Sequence, residues 1–234
     1  MTSKQSPVRN GADQVRPAAK RGRPPGRPRD TDSQETRLAV LEAAVVQFSR
    51  TGFAGTSTRM ICEQAGVTAA TVYHHFGSKR ALYVEALNHG MTFVYTRFEH
   101  AVKGKRSLRA ELHAILDCAL GNLEHHHEIT ELAIRAQSDL SHEELRANYP
   151  PSSRSFLDGV IARAVERGEL RARDAWQLEL TIDGMLWGLS IVGQDERTRV
   201  GFVTAFERLI DGDLFKPPGT RQRPSRRQVR TTSG

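Results

Sequence analysis

Three groups of residues in this 234-residue chain have types and spacings that could do chemistry. The first is Lys20-Arg-Gly-Arg-Pro-Pro-Gly-Arg-Pro-Arg29, a thin and strongly basic run that suits a polyanion. The second is His125-His126-His127, with the zincin-like beginnings His127-Glu128 and His142-Glu143. Consecutive helical side chains point about 100° apart, so the three histidines cannot share one ion. Neither His-Glu pair is completed by a second histidine. No phosphate-cradling glycine loop and no nucleophile elbow occurs. No catalytic residue, metal or cofactor is therefore expected, and the chain does not read as an enzyme. The third group, Ser57 to Phe76, needs the surrounding elements before it can be interpreted.

Charge and proline divide the chain in the same places. Residues 1–29 carry eight Lys or Arg against the single acid Asp13, and residues 216–234 carry six basic residues and no acid. The stretch 30–215 is left with a net charge of −6. Eight of the ten prolines lie in the two basic ends, and only Pro150-Pro151 interrupts the body. The expected organisation is a disordered basic arm over 1–31, domains over 32–80 and 81–214, and a disordered basic tail over 215–234. The ends suit nucleic acid, or serve as solvated tails for solubility. Two cysteines make no disulfide framework, and no apolar segment is long enough for a bilayer or a signal sequence, so a cytoplasmic protein is expected.

A body almost free of proline can be helical throughout. Leu38, Leu41, Val45 and Phe48 recur at three and four residues, as do Leu108, Leu112, Ile115, Ala119 and Leu123. Sustained period-two alternation is absent. The fold class is all-α, with about nine helices. Helix 1 is expected to begin near Asp32 or Ser33, with Glu35 completing a capping box, and to end before Gly52. Short helices follow over about 58–65 and 69–76, the first closed by Gly66 and the second capped by Thr68. Longer helices are expected from Ser78 to about Val102 and near 107–125, 128–140, 152–167, 175–193 and 197–211, with Asp174 as a cap for the penultimate one.

Two short helices joined by Gly66-Val67-Thr68 can cross steeply if a small apolar wedge fills the angle. Ile61, Ala65, Val67, Val72 and Phe76 supply it. With Val72 and Phe76 inward, Ala70, Tyr73 and His74 face outward on a helix narrow enough for a major groove. Residues 37–83 closely resemble the DNA-binding domain of TetR-type transcriptional regulators. The resemblance is carried by Arg37, Val40-Leu41, Ala43-Ala44, Phe48, Gly52-Phe53, Thr56-Ser57, Ile61, Ala65-Gly66-Val67-Thr68, Thr71-Val72-Tyr73, His75-Phe76, Ser78-Lys79 and Ala81-Leu82-Tyr83. Beyond it the match is one of length and helicity.

The resemblance implies a homodimer that binds a palindromic operator on double-stranded DNA, most simply as a repressor released by a small-molecule effector and associated with the nucleoid when bound. It places Thr58 and Arg59 at the DNA surface, Thr68, Ala69, Ala70, Thr71, Tyr73 and His74 in or beside the groove, and Tyr73, His75 and Lys79 at phosphates. Thr68 and Thr71 also fit plain capping and local packing. Ala69 and Ala70 offer only methyl contacts, so base readout rests on Arg59 and His74. Cys62 reads as a small buried residue rather than a redox sensor. In the arm, Arg21-Gly22-Arg23-Pro24 resembles an AT-hook core half repeated at Arg27, suited to a narrow minor groove or to nonspecific phosphate contacts. Phe93, Phe98, Trp176 and Met185 are candidates for an effector pocket or an ordinary core. Gly184, Gly188 and Leu189 mark a candidate dimer seam. The rival reading is an architectural DNA-binding protein dominated by its basic ends.

Overall fold

Hydroxyl and carboxylate caps fix where most helices begin. The computed structural model describes residues 29–147, 151–192 and 195–212. The basic arm with Arg21, Arg23 and Arg27, and the basic tail from 213 onward, lie outside the described residues. Ten α-helices are described: α1 (Arg29–Gly55), α2 (Thr58–Ala65), α3 (Ala69–Phe76), α4 (Lys79–Val102), α5 (Leu108–His125), α6 (His127–Asp139), α7 (His142–Ala147), α8 (Pro151–Glu166), α9 (Ala175–Val192) and α10 (Glu196–Ile210). Ser57, Thr68, Ser78, Ser107 and Asp195 each accept a hydrogen bond from the backbone N–H three residues on, at 2.7–3.3 Å. Each bond satisfies a donor that the first turn of a helix leaves open.

Three local expectations need correction. Helix 1 is already helical at Arg29, so Asp32 and Ser33 sit inside it rather than at its cap. No glycine or proline lies between Pro28 and Gly52 to delay the start. α7 was not anticipated. It is six residues long and opens with a capping box of its own: Ser141 Oγ accepts from the Glu144 N–H at 3.2 Å, while Ser141 N–H and Oγ donate to Glu144 Oε2 at 2.8 Å each. Asp174 does not open α9 directly. It closes a single 3-10 turn, Ala172–Asp174, and its carboxylate pairs with Arg171.

The described helices bury two apolar clusters joined through α4. The first holds Phe48 of α1, Ile61 of α2, Val72 and Phe76 of α3, and Leu82 and Tyr83 of α4, and it is closed by Leu132 and Ala136 of α6. The second gathers Tyr95 and Phe98 of α4 with Leu116 of α5, Leu157 of α8 and Ile182 of α9. The boundary expected at 80/81 therefore falls inside the first cluster, because the start of α4 and most of α6 pack with the N-terminal helices. Tyr83 is edge-on to Phe48 at 4.7 Å and to Phe53 at 5.4 Å, which locks the start of α4 onto α1.

α4 and α6 meet at Gly90, where an added Cβ would lie 2.9 Å from Ile129 Cγ2. Gly90→Ala should therefore destabilise the chain by about 1–3 kcal/mol through overpacking, despite the better helix propensity of alanine. Gly121→Ala on α5, where a Cβ meets nothing within 4 Å, should be neutral or gain up to about 1 kcal/mol. Urea unfolding of both variants checks the pair.

Candidate nucleic-acid interface

The turn between α2 and α3 depends on Gly66, whose φ of 69° and ψ of 29° lie in the left-handed region that favours glycine. Val67 N–H then closes back on Cys62 O at 3.1 Å. Ile61, Cys62, Val72 and Phe76 are buried against α1, with Ala65 and Val67 packed beside them. Burial pushes the Cys62 thiol up, which keeps it protonated and unreactive.

With that wedge inward, α3 turns Ala69, Ala70, Tyr73 and His74 to solvent, and leaves Thr71 and His75 half-buried. Tyr73 is 48% exposed, a large ring open to solvent over about half its surface. Its hydroxyl lies 3.4 Å from Thr58 Oγ1, joining the first turn of α2 to the outward face of α3. Thr68 accepts from Thr71 N–H at 3.2 Å, and the two hydroxyls lie 2.9 Å apart, so both residues act as a cap whatever else they touch. Lys79 holds its ammonium 4.5 Å from the Phe53 ring centroid.

Arg59 is 86% exposed in its side chain and donates through Nε to Glu63 Oε1 at 2.7 Å. An exposed pair four residues apart on one helix is weak and opens readily. The sequence reading did not foresee this pairing of Arg59 with Glu63.

Behind this surface, the C-terminal end of α6 is bonded to α1 and α4. The Asp139 carboxylate, through Oδ2, accepts from the Phe53 backbone N–H at 2.9 Å and from the Tyr83 hydroxyl at 2.8 Å. Gly52 (φ 70°, ψ −179°) breaks α1 just there, and a Cβ on it would stand 3.4 Å from the same Oδ2. Arg135 Nε donates to Ser49 O at 2.7 Å, and Arg80 donates to Asp139 O at 2.9 Å and to both oxygens of Glu144. Burial and the bond to Asp139 push the Tyr83 phenol far above its ordinary range, so it remains a donor. The Arg80 guanidinium, with help from Ser141, holds Glu144 down at about 2. Since that lies below the ordinary 4.5, the pair contributes above this pH and is lost as pH falls toward 2. Sequence reasoning found none of Arg80, Arg135, Asp139 or Glu144 as functional; the Ser141-x-x-Glu144 box was the one local signal.

A cavity of about 70 Å³ lies between α4, α5, α6 and α9. Of the four pocket candidates, Phe98 lines it. Phe93 is instead on the surface, edge-on to His126 at 4.8 Å, because the α5–α6 turn splits the histidine run and brings that ring over it. Met185 is buried in the second core, and Trp176 is exposed at the start of α9; the tryptophan in the cavity wall is Trp187. The candidate seam is corrected as well. Leu189 is buried within its own chain, and a Cβ on Gly188 would meet the Phe202 ring of α10 at 3.1 Å, so both serve packing inside one chain. Gly184 does face open space.

Residues 40–86 match the family described as bacterial regulatory proteins, tetR family. The chain is 35% identical over 74 residues to the HTH-type transcriptional regulator UidR of Escherichia coli K12, covering 32% of this chain and 38% of that protein. It thus spans about two fifths of that relative's length. It is 28% identical over 147 residues to the HTH-type transcriptional repressor KstR2 of Mycolicibacterium smegmatis, covering 61% of this chain and 72% of that protein. Among solved structures, FadR from Bacillus subtilis in complex with stearoyl-CoA superposes with a TM-score of 0.61 at 20% identity, over 75% of this chain and 98% of that one, and so shares the fold.

Asp139→Ala would strand two buried donors, the Phe53 N–H and the Tyr83 hydroxyl, at about 1–3 kcal/mol each, whereas Tyr83→Phe removes one bond worth about 1 kcal/mol. Urea denaturation should rank Asp139→Ala well below Tyr83→Phe. Equal losses would show that the carboxylate does not serve both donors.

Proposed function

We propose that this chain is a sequence-specific DNA-binding transcriptional regulator, a homodimeric repressor whose C-terminal helices bind a small-molecule effector. The observation that carries the reading is α3: its buried face is fully used, and its outward face is two alanines, a tyrosine and a histidine. Small side chains let a helix lie deep in a major groove, and Tyr73 with Lys79 and His75 reaches the phosphates at its edges. Residues 32–80 are the DNA-reading unit and 81–214 the effector and dimer unit, with α6 lent to the former. No helix among the described residues is long and apolar enough to cross a membrane, and a cytoplasmic site of action follows from the DNA-binding reading.

Arg59→Ala should relax preference at one position per half-site and cost about tenfold or more in operator affinity. Tyr73→Phe and Lys79→Ala should weaken all sequences alike. Glu63→Gln should tighten binding, because it releases Arg59 and removes a negative charge from the DNA surface. Competition binding against operator variants checks all four. A uniform loss for Arg59→Ala would remove it from base readout.

The dimer is proposed on the outward face of α9. Trp176, Leu180 and Gly184 recur at four-residue intervals, and Ile191 falls on the same stripe. Ile191 is 64% exposed, Leu180 59% and Trp176 60%. Large apolar side chains exposed along one face of a helix call for a covering partner, and a second copy supplies the same stripe by twofold symmetry. Such a dimer can set two α3 helices one DNA turn apart, about 34–36 Å. Ile191→Glu should give monomers in light scattering and abolish operator binding with little change in far-UV circular dichroism. A dimer of unchanged stability would move the interface elsewhere.

The basic arm is proposed to track DNA beside the helix–turn–helix, through Arg21, Arg23 and Arg27 in an A·T-rich minor groove. Each neutralised phosphate contributes about 0.9 to the slope of log affinity against log salt. Removing residues 1–28 should flatten that slope by several units and cost more on A·T-rich than on G·C-rich flanks. An unchanged slope would leave the arm a solubility tail.

The cavity is proposed as the effector site. FadR of Bacillus subtilis, solved with stearoyl-CoA, supports an effector with an apolar chain for this fold. α6 lines the cavity with Ile129, Thr130 and Ala133, and a few residues on holds α1 through Arg135 and Asp139. An occupant that displaces α6 thereby displaces the DNA-reading unit.

A further inference from the structure

The wall of the cavity is mainly apolar, formed by side chains such as Met91, Phe98, Ile129 and Trp187, yet it holds a buried amide nitrogen with no partner among the described residues and a carboxylate. Asn122 of α5 is 4% exposed. Its Oδ1 accepts from Arg97 Nε at 2.7 Å, which fixes the orientation of the amide, and its Nδ2 has no partner. The unpartnered atom is therefore a donor, whose complement is an oxygen. Asp183 of α9 lines the same cavity. Its surroundings are burial and the like charge of Glu179, both of which push its pKa up. A third polar group, Ser190, already donates its proton to Leu186 O at 2.9 Å.

Among the described residues no cation pairs with Asp183, and a half-buried carboxylate with a second acid nearby is a costly arrangement, as is a buried donor left open. Both costs are relieved by a ligand of complementary pattern. We propose that the cavity selects an apolar amine: a lipophilic body against Phe98 and Trp187, a protonated nitrogen on the Asp183 carboxylate, and an oxygen of the ligand accepting from Asn122 Nδ2. Carboxylates and phosphates are refused, because they would bring a third negative charge beside Asp183 and Glu179. The inference rests on the reading of this cavity as the effector site and adds the chemistry of its occupant.

The test uses three probes that share one chain and differ in the head: octylamine, octan-1-ol and sodium octanoate, titrated into the full-length chain at neutral pH by calorimetry. Octylamine should bind at least tenfold tighter than octanoate, with octan-1-ol between them. Asp183→Asn should erase the difference between amine and carboxylate while leaving octan-1-ol within about twofold, and Asp183→Glu should keep the amine preference. Asn122→Leu should weaken octan-1-ol several-fold, since its oxygen is the acceptor. Octanoate binding as tightly as octylamine, no binding of any probe to the unaltered chain, or an equal loss of all three probes in Asp183→Asn would overturn the proposal. Ranking the probes on the unaltered chain decides the matter even if a variant fails to fold. No DNA enters the titration, so failure here leaves the DNA-binding reading standing, and failure of operator binding leaves a charge-selective cavity.

Discussion

The carboxylate of Asp139 is the point on which the helix–turn–helix unit is hung. α1 must stop for the helix–turn–helix to begin, and Gly52 stops it by taking a left-handed φ that favours glycine. Breaking a helix leaves polar groups open, and at this break the Phe53 N–H is answered from 86 residues away, by Asp139 at the end of α6. The same oxygen takes the Tyr83 hydroxyl, whose ring packs Phe48 and Phe53. One side chain thus fixes the end of α1, the start of α4 and the end of α6 together. The orientation of α3 follows, because its buried face packs on α1 and α4.

That arrangement gives α6 two duties along 13 residues. Its first turns carry Ile129, Thr130 and Ala133 in the cavity wall, and its last turns carry Arg135 and Asp139 on α1. Gly90 lets α4 approach α6 closely enough for Ile129 to fill the space a side chain would take. Close-packed helices move as bodies rather than deform continuously, so a shift imposed at the cavity is passed to the other end of the helix. In the proposed function, ligand and DNA compete through this one rigid element without touching.

The helix–turn–helix was legible in the sequence because every determinant is local. Ser57, Thr68 and Ser78 cap within three residues, Gly66 turns the chain, and the spacing of Val72 and Phe76 decides which face of α3 is outward. The exposed stripe of α9 was half legible. Gly184 lies on it, but periodicity does not say which face a later helix covers, and α10 covers Gly188 with Phe202. The same limit exchanged Trp176 for Trp187 as the pocket tryptophan. The bonds of Asp139, Arg135 and Arg80 join residues 56–86 positions apart, and no spacing rule announces them. That α6 packs across the split expected at residue 80 was hidden for the same reason: it completes a core begun almost a hundred residues earlier.

Coupling between the cavity and the DNA-reading unit is tested most directly at the Phe53 amide. Ala119→Leu on α5 fills part of the cavity from a helix other than α6 and so imitates an occupant. If α6 transmits the displacement, hydrogen exchange at the Phe53 N–H should rise about tenfold or more, while amides in the middle of α5 and α8 keep their protection. Unchanged exchange at Phe53 in a folded Ala119→Leu chain would contradict the coupling and leave the Asp139 contact a purely structural tie.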